Sequence, residues 1–231
     1  MEKKKTINSK ALYIIIAVTV CSVVMSLVDG IMQPSYPVKS AIKVCLFLVV
    51  PLCYFIINRP ELNEFRQLFK PKKRSILIAL GLGVFVYGFI VGGYFVLRGI
   101  IDFSGIVANL DGKTGINAGN LLYVAIYMSF INSFLEEFLF RGFCFMVLKK
   151  HTVGYFAYFF SALFFAIYHS GVTAGYFDIG VFLLTLAGLV AAGVIFNFLD
   201  DKSESIYTSW IVHMFANFGT NTAAFVILGV I

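Results

Sequence analysis

Long apolar runs alternate with short polar segments along the chain. Because about 20 apolar residues are enough for a helix to cross a bilayer, we predict membrane spans wherever such runs occur. The pattern predicts seven spans, at residues 11–28, 41–57, 75–97, 120–148, 152–169, 177–198 and 206–231. The predicted fold is therefore an all-α, polytopic transmembrane helical bundle that forms a single membrane-embedded domain over residues 1–231.

Two of these spans need comment. The first has basic residues before it but no small-residue cleavage site after it, so we interpret it as a retained span and not as a signal peptide. The fourth has 29 residues, which is more than one crossing requires. We expect it to be tilted, broken or partly interfacial.

Composition supports a membrane protein over the alternative of a soluble protein with a large core. Of the residues, 60% are hydrophobic and 13% are charged, whereas a soluble domain has about 25% charged residues. The cysteines, which all lie in apolar runs and form no CxxC pair, are Cys21, Cys45, Cys53 and Cys144. They are interpreted as small hydrophobic side chains, neither disulfide partners nor zinc ligands.

The distribution of basic residues predicts the topology. With the N-terminus inside, the predicted inner segments hold thirteen Lys and Arg residues and the outer ones hold three, including Lys39. This asymmetry fits the positive-inside rule and predicts a multi-pass protein of the cell membrane with a cytoplasmic N-terminus. It also accounts for the net charge of +6 without nucleic acid, since a basic cytoplasmic face suits anionic membrane lipid.

Three further expectations concern the N-terminal half. Lys43, near the start of the second span, is expected to extend its ammonium group to the interface. The long loop at residues 98–119 has the length and glycines of a mobile gate. The glycines of the third span, expected to allow close helix approach, are Gly81, Gly83, Gly88, Gly92 and Gly93.

The fourth span contains three ionisable residues, Glu136, Glu137 and Arg141. Each charge in a bilayer costs about 2.5–3.5 kcal/mol on insertion scales, so each needs a partner or a function. Glu137 and Arg141 are four residues apart and can pair on one helix face. Glu136 lies on another face, with a polar stripe that includes Asn132, and is the better candidate for a general base. The alternative is that both glutamates only pair with cations or lie at the interface.

Two later segments carry the remaining candidates. Phe165 and His169 are four residues apart near the end of the fifth span, and His213 and Asn217 are four apart in the seventh. Polar side chains in a span must face the protein interior or water. For each segment the alternative is hydrogen bonding without chemistry.

The combined set of Glu136, His169, His213 and Asn217 supports two chemistries of amide hydrolysis. Two imidazoles and a carboxylate or amide oxygen can bind a divalent metal with a position left for water. Alternatively, the glutamate deprotonates water directly while imidazole and amide stabilise an oxyanion. The chain has no HExxH sequence, so a zincin site is unsupported.

The motifs EExxxR (Glu136, Glu137, Arg141), FxxxH and HxxxN, in this order over residues 119–217, resemble the CPBP family. That family holds the endopeptidases that process CAAX sequences of prenylated proteins, and bacterial relatives called abortive-infection or bacteriocin-processing proteins. The resemblance implies an intramembrane endopeptidase with its site in a membrane cavity. It implies that Glu136 activates water with help from His169, and that the HxxxN pair forms the oxyanion hole.

The resemblance also implies that Glu137, Arg141 and Phe165 support the site. Members of the family have been described both as metalloproteases and as metal-independent glutamic proteases. The lack of a third well-placed histidine favours no metal cofactor; the alternative is zinc or another divalent ion on Glu136, His169 and His213.

The residues and the resemblance leave three possible functions. The first is an endopeptidase acting on a membrane-bound peptide or protein precursor. The second is a non-catalytic immunity or scaffold protein of the same family, for bacteriocin self-immunity or partner binding. The third is a small transporter or channel with a Glu and His proton relay, against which the lack of an inverted repeat counts. The sequence makes no prediction of the oligomeric state.

Overall fold

A computed structural model describes residues 8–103, 119–174 and 178–231, and these ranges contain helices but no strand. The helices are α1 (Ser9–Met32), α2 (Tyr36–Ile57), α3 (Leu62–Leu68), α4 (Lys73–Leu97), α5 (residues 121–151), α6 (Gly154–Thr173), α7 (Ile179–Ser203) and α8 (Tyr207–Ile227). A 3₁₀ turn, Arg59–Glu61, precedes α3. The all-α prediction is confirmed.

Within the described ranges, five helices, α1, α2, α4, α6 and α7, are long and apolar enough to cross a membrane. The polar side chains of the predicted site lie on α5 and α8 as well as on α6. The total of seven spans stays a prediction.

Helix α5 is continuous from residue 121 to residue 151. Of the three alternatives for the fourth span, the broken helix is therefore wrong, and the tilted or partly interfacial span stays a prediction. It contains two π-helical stretches, Met128–Asn132 and Phe138–Val147. A π-helical turn holds one more residue than an α-turn and often occurs at functional sites. Both stretches flank the two glutamates.

The core of the bundle surrounds α5. Its fully buried phenylalanines, Phe138, Phe140, Phe143 and Phe145, pack with buried residues of α1, α2 and α6. Almost every side chain from residue 135 to residue 148 is buried inside the protein. The charges of α5 therefore face protein groups and not lipid tails, which lets a membrane helix carry them.

Helices α1 and α6 cross at Gly171. A Cβ atom at this position would overlap the backbone of Ser26, and the hydroxyl groups of Ser26 and Ser170 lie 3.3 Å apart. Only glycine permits this approach of the two backbones.

The glycines of α4 behave differently from our expectation. Gly83 packs against Phe215 of α8, but a Cβ atom added at Gly81, Gly88, Gly92 or Gly93 would meet nothing within 4 Å. The expected close approach is confirmed at Gly83 and wrong at the other four positions.

Ion pairs join the predicted cytoplasmic segments at one end of the bundle. Lys10 pairs with Glu61 at 2.5 Å and Lys72 pairs with Glu204 at 2.7 Å. Lys149 pairs with Asp201. These contacts connect the four segments that were predicted to share the inner membrane face, residues 1–10, 58–74, 149–151 and 199–205. The orientation of that face stays a prediction.

Glu61 is the most buried of the side chains in these three ion pairs. Burial alone raises the pKa of its carboxyl, but hydrogen bonds from Lys10 and Tyr54 and the nearby His151 outweigh burial and leave the pKa below its usual value. Glu61 therefore stabilises the fold as a carboxylate.

Some predictions concern other parts of the chain. Most of the 98–119 loop, the first three lysines and the predicted start of the sixth span at residue 177 lie outside the described residues. Helix α7 begins at Ile179 because Asp178 accepts hydrogen bonds from the backbone of Gly180 and Val181. All four cysteines are free, with Cys21 and Cys144 buried.

Candidate active site

The four predicted catalytic side chains meet at one cavity of about 110 Å³. Glu136 comes from α5, His169 from α6, and His213 and Asn217 from α8. Helices α1 and α2 complete its wall. The cavity is large enough for several water molecules.

One oxygen of Glu136, Oε1, accepts three hydrogen bonds. The donors are Asn132 Nδ2 at 2.7 Å, Tyr168 OH at 3.0 Å and Lys43 Nζ at 3.1 Å. Glu136 is 1% exposed and Lys43 is 6% exposed. Lys43 therefore provides a cation that offsets the cost of a buried carboxylate.

The placement of Lys43 corrects our expectation that it extends to the interface. Its ammonium group points into the bundle and also donates to Asn132 Oδ1 and to the hydroxyl of Tyr168. An ammonium group has three hydrogens, and Lys43 uses all three within this cluster.

Lys39, counted with the outer loop in the charge analysis, also lies on α2 and lines the cavity. It pairs with the buried Asp29 of α1 at 2.5 Å. The outer-loop assignment of Lys39 is therefore wrong.

The other oxygen of Glu136, Oε2, accepts no hydrogen bond from the described residues. It lies 3.6 Å from Nε2 of His169 and 3.7 Å from Nε2 of His213. These separations are too long for direct hydrogen bonds. Oε2 and the two imidazole nitrogens thus face one another across the cavity.

The outer nitrogen of each imidazole is held by an acceptor. Nδ1 of His169 donates to the backbone carbonyl of Phe165 at 2.8 Å. Nδ1 of His213 lies 2.7 Å from Oε1 of Glu137. Because both Nδ1 atoms are engaged in this way, Nε2 of each ring is directed to the cavity.

Glu137 connects the site to the core. While Oε1 holds His213, Oε2 lies 3.2 Å from Nε of Arg141, and both Glu137 and Arg141 are fully buried. The predicted pairing of residues 137 and 141 is confirmed.

Aromatic rings surround the cation of that pair. The Arg141 guanidinium lies over the rings of Phe165, at 4.1 Å, and Phe196, at 5.0 Å. Phe165 also contacts His169 ring to ring at 4.5 Å. Phe165 thus separates Arg141 from the cavity and packs against one of its imidazoles.

Asn217 lines the cavity but also contacts α5. Its Nδ2 atom donates to the backbone carbonyl of Met128 at 2.9 Å. An amide nitrogen has two hydrogens, so this contact orients the side chain and leaves a second donor.

The polar stripe predicted beside Glu136 is only partly in the cavity. Asn132 lines it, whereas Ser129 and Ser133 are buried in helix contacts. Ser133 donates to the carbonyl of Ser129 at 2.5 Å, and Asn221 donates to the hydroxyl of Ser129 at 3.3 Å. These serines pack helices together.

Sequence reasoning missed Lys43 and Tyr168. Tyr168 directly precedes His169, and a search for donors beside the motif would have found it. For Lys43, the available signal was a charge inside an apolar run.

The alternative metal set is Glu136, His169 and His213. Two ligands that each lie about 2.0–2.2 Å from zinc at a tetrahedral angle are about 3.3–3.6 Å apart. The separations of 3.6 and 3.7 Å are at or beyond this range. In the part of the chain that the structure describes, no three His, Cys, Asp or Glu side chains are spaced to hold a metal ion.

Fold and cavity together define a class: an all-helical membrane protein with a buried carboxylate and imidazole site. Residues 118–219 match the model of the Rce1-like family, described as Type II CAAX prenyl endopeptidase Rce1-like. This match confirms the resemblance to the CPBP family over the segment that carries the motifs. At family level it denotes a membrane endopeptidase of the CAAX type. No curated protein and no solved structure matches the chain.

Proposed function

We propose that this protein is an intramembrane endopeptidase that hydrolyses a peptide bond of a membrane-bound peptide or protein precursor. One observation carries the proposal: Oε2 of the buried Glu136 is free of donors from the described residues and faces two imidazole nitrogens in a cavity. A water molecule between these atoms has a base on one side and nitrogen partners on the other.

In the proposed reaction, Glu136 Oε2 takes a proton from this water, and its oxygen attacks the carbonyl carbon of the scissile bond. His169 orients the water through Nε2, because its Nδ1 is held by the Phe165 carbonyl. The C–N bond then breaks, and Glu136 returns the proton to the leaving amine.

His213 and Asn217 are proposed to stabilise the oxyanion. Glu137 stabilises a protonated His213 ring from the Nδ1 side, so that Nε2 donates into the cavity. Asn217 donates its second amide hydrogen, since the first is bound to Met128. Loss of one oxyanion donor typically costs about 10²–10³-fold in rate.

The substrate class follows from the family match and the membrane setting. Endopeptidases of the matching family act on CAAX sequences of prenylated proteins. We accordingly propose a substrate whose lipid or apolar anchor holds the scissile bond at the depth of the cavity.

The test compares cells that carry wild-type protein, Glu136→Gln or Glu61→Gln at equal membrane levels. Glu61→Gln is the control, because it also alters a largely buried glutamate but lies away from the cavity. We expect defined peptides to vanish and a longer membrane-bound precursor to accumulate only in Glu136→Gln, as measured by comparative peptidomics. Equal profiles for all three, with a deletion that still has a phenotype, would instead support the immunity or scaffold function.

A further inference from the structure

We propose that Lys43 is a positioning residue of the site, which fixes Oε1 of Glu136 so that Oε2 is the reactive oxygen. This inference rests on the proposed function. It assigns a role to a residue of α2, which lies outside the segment 118–219 that matches the family.

The hydrogen bonds to the Glu136 carboxylate are asymmetric. All hydrogen bonds to Glu136 from the described residues end on Oε1, and the Lys43 ammonium donates to that atom and to both of its other donors. Lys43, Asn132 and Tyr168 therefore form one cluster around Oε1. A carboxylate held in this way at one oxygen keeps its other oxygen turned to the cavity.

The pairing of the buried charges also assigns Lys43 to Glu136. Two glutamates and one arginine are buried side by side on α5. Arg141 pairs with Glu137, which leaves Glu136 without a cation from its own helix. Lys43 supplies this cation from a helix 93 residues earlier in sequence. The other lysine and the other carboxylate that line the cavity, Lys39 and Asp29, pair with each other.

The helix backbone is irregular beside both Lys43 and Asn132. Helix α2 widens into the π-helical stretch Cys45–Val49 directly after Val44, and α5 has its own π-helical stretch ending at Asn132. Lys43 lies two residues before the first stretch, and Asn132, which it contacts across the cluster, is the last residue of the second. Such stretches often occur where a side chain must be presented to a site.

The experiment uses the full-length protein in proteoliposomes. The probe is a farnesylated peptide with a C-terminal CAAX sequence, or the precursor found by peptidomics if that peptide is not cleaved. Lys43→Met removes charge and donors, Lys43→Gln keeps a donor without charge, and Lys43→Arg keeps both. Lys10→Met is the matched control, since Lys10 pairs with a largely buried glutamate, Glu61, at the end of the bundle and outside the cavity.

We expect kcat to fall about 10²-fold in Lys43→Met, less in Lys43→Gln and least in Lys43→Arg. The KM of all three variants is expected to stay within about twofold of wild type, because Lys43 holds a catalytic group and not the substrate. Lys10→Met is expected to keep the wild-type kcat. A wild-type kcat in Lys43→Met, or a rise in KM alone, overturns the inference while the proposed function stands.

A second readout does not depend on activity. In detergent micelles, Lys43→Met and Glu136→Gln are each expected to lower Tm, and the double variant is expected to lower it by less than the sum, since it removes both charges of the pair. If the Tm losses of the two single variants simply add in the double variant, Lys43 and Glu136 do not stabilise each other and the inference is overturned. Failure of the proposed function itself is seen separately, as unchanged processing in Glu136→Gln.

Discussion

Separating the two roles of Glu137 gives the sharpest test of how the site is supported. Its Oε2 pairs with Arg141 at 3.2 Å and its Oε1 holds His213 at 2.7 Å, all in a buried setting. We consider Arg141→Met, Glu137→Gln and the double variant. The first two each leave one buried charge without its partner in this pair, whereas the third leaves neither charge.

The magnitude follows from this geometry. Two unit charges 3.2 Å apart attract by roughly 5 kcal/mol at an effective dielectric constant near 20. Because the desolvation of both ions opposes this attraction, we expect each single substitution to destabilise the fold by about 3–5 kcal/mol. The double variant is expected to recover most of that loss, because it leaves neither ion buried without its partner, so that its loss is far below the sum of the two single losses.

Activity is expected to separate from stability. In the double variant, the neutral amide introduced by Glu137→Gln no longer provides the negative charge that stabilises a protonated His213 ring. A neutral ring whose Nδ1 donates to the amide oxygen has no hydrogen on Nε2 to donate to the oxyanion. We therefore expect a stable protein whose kcat is lower by about 10²-fold or more.

The assays are thermal unfolding in one detergent and cleavage of the peptide probe in proteoliposomes. Lys10→Met with Glu61→Gln is the control cycle, because Lys10 is about a third exposed and the coupling of such a pair is expected to be at most about 1 kcal/mol. Additive stability losses for residues 137 and 141, or full activity in their double variant, would refute the reasoning.

Three further predictions concern packing, pH and metal. Gly171→Ala is expected to lower the free energy of unfolding by about 1–3 kcal/mol, because its Cβ overlaps the Ser26 backbone. As the control, Gly88→Ala should leave Tm unchanged or slightly raised. An unchanged Tm in Gly171→Ala would contradict the crossing of α1 and α6. Because the folded-state pKa of Glu61 lies below its usual 4.5, its contribution to stability is complete above that value and is lost as pH falls through the lower folded pKa. The Tm difference between wild type and Glu61→Gln should therefore shrink on acidification below about pH 4.5, and a constant difference would refute this. Finally, peptide cleavage is expected to continue in millimolar 1,10-phenanthroline, and a loss that zinc restores would instead favour the metal set.

Sequence reasoning succeeded where contacts are local. Three contacts of the site join residues four apart on one helix. They are the pairing of Glu137 with Arg141, the hydrogen bond from Asn132 to Glu136 and the hydrogen bond from His169 to the Phe165 carbonyl. Helix geometry places such residues on one face whatever the rest of the chain does. The same holds for the helices themselves, because the length of an apolar run sets whether it can cross a bilayer.

Glycine positions show the limit of pattern reasoning. The spacing of Gly83 and Gly88 looked equally suited to close packing, yet of these two only Gly83 meets a neighbouring helix. A glycine only permits an approach, and the neighbour that uses it is set by the packing of the whole bundle. Gly171, at the crossing of α1 and α6, had no pattern to mark it.

The sequence by itself determined the helical class, the membrane setting and the identity of the candidate carboxylate, imidazoles and amide, because hydropathy and helical spacing are properties of neighbouring residues. Only the tertiary structure decided that these groups meet in one cavity, that Oε2 of Glu136 is the free oxygen and that Lys43 holds the other one. A lysine near the start of an apolar helix has the same sequence pattern whether it extends to the interface or to a buried carboxylate. The choice depends on a partner 93 residues away, and this partner becomes a neighbour only when the helices pack.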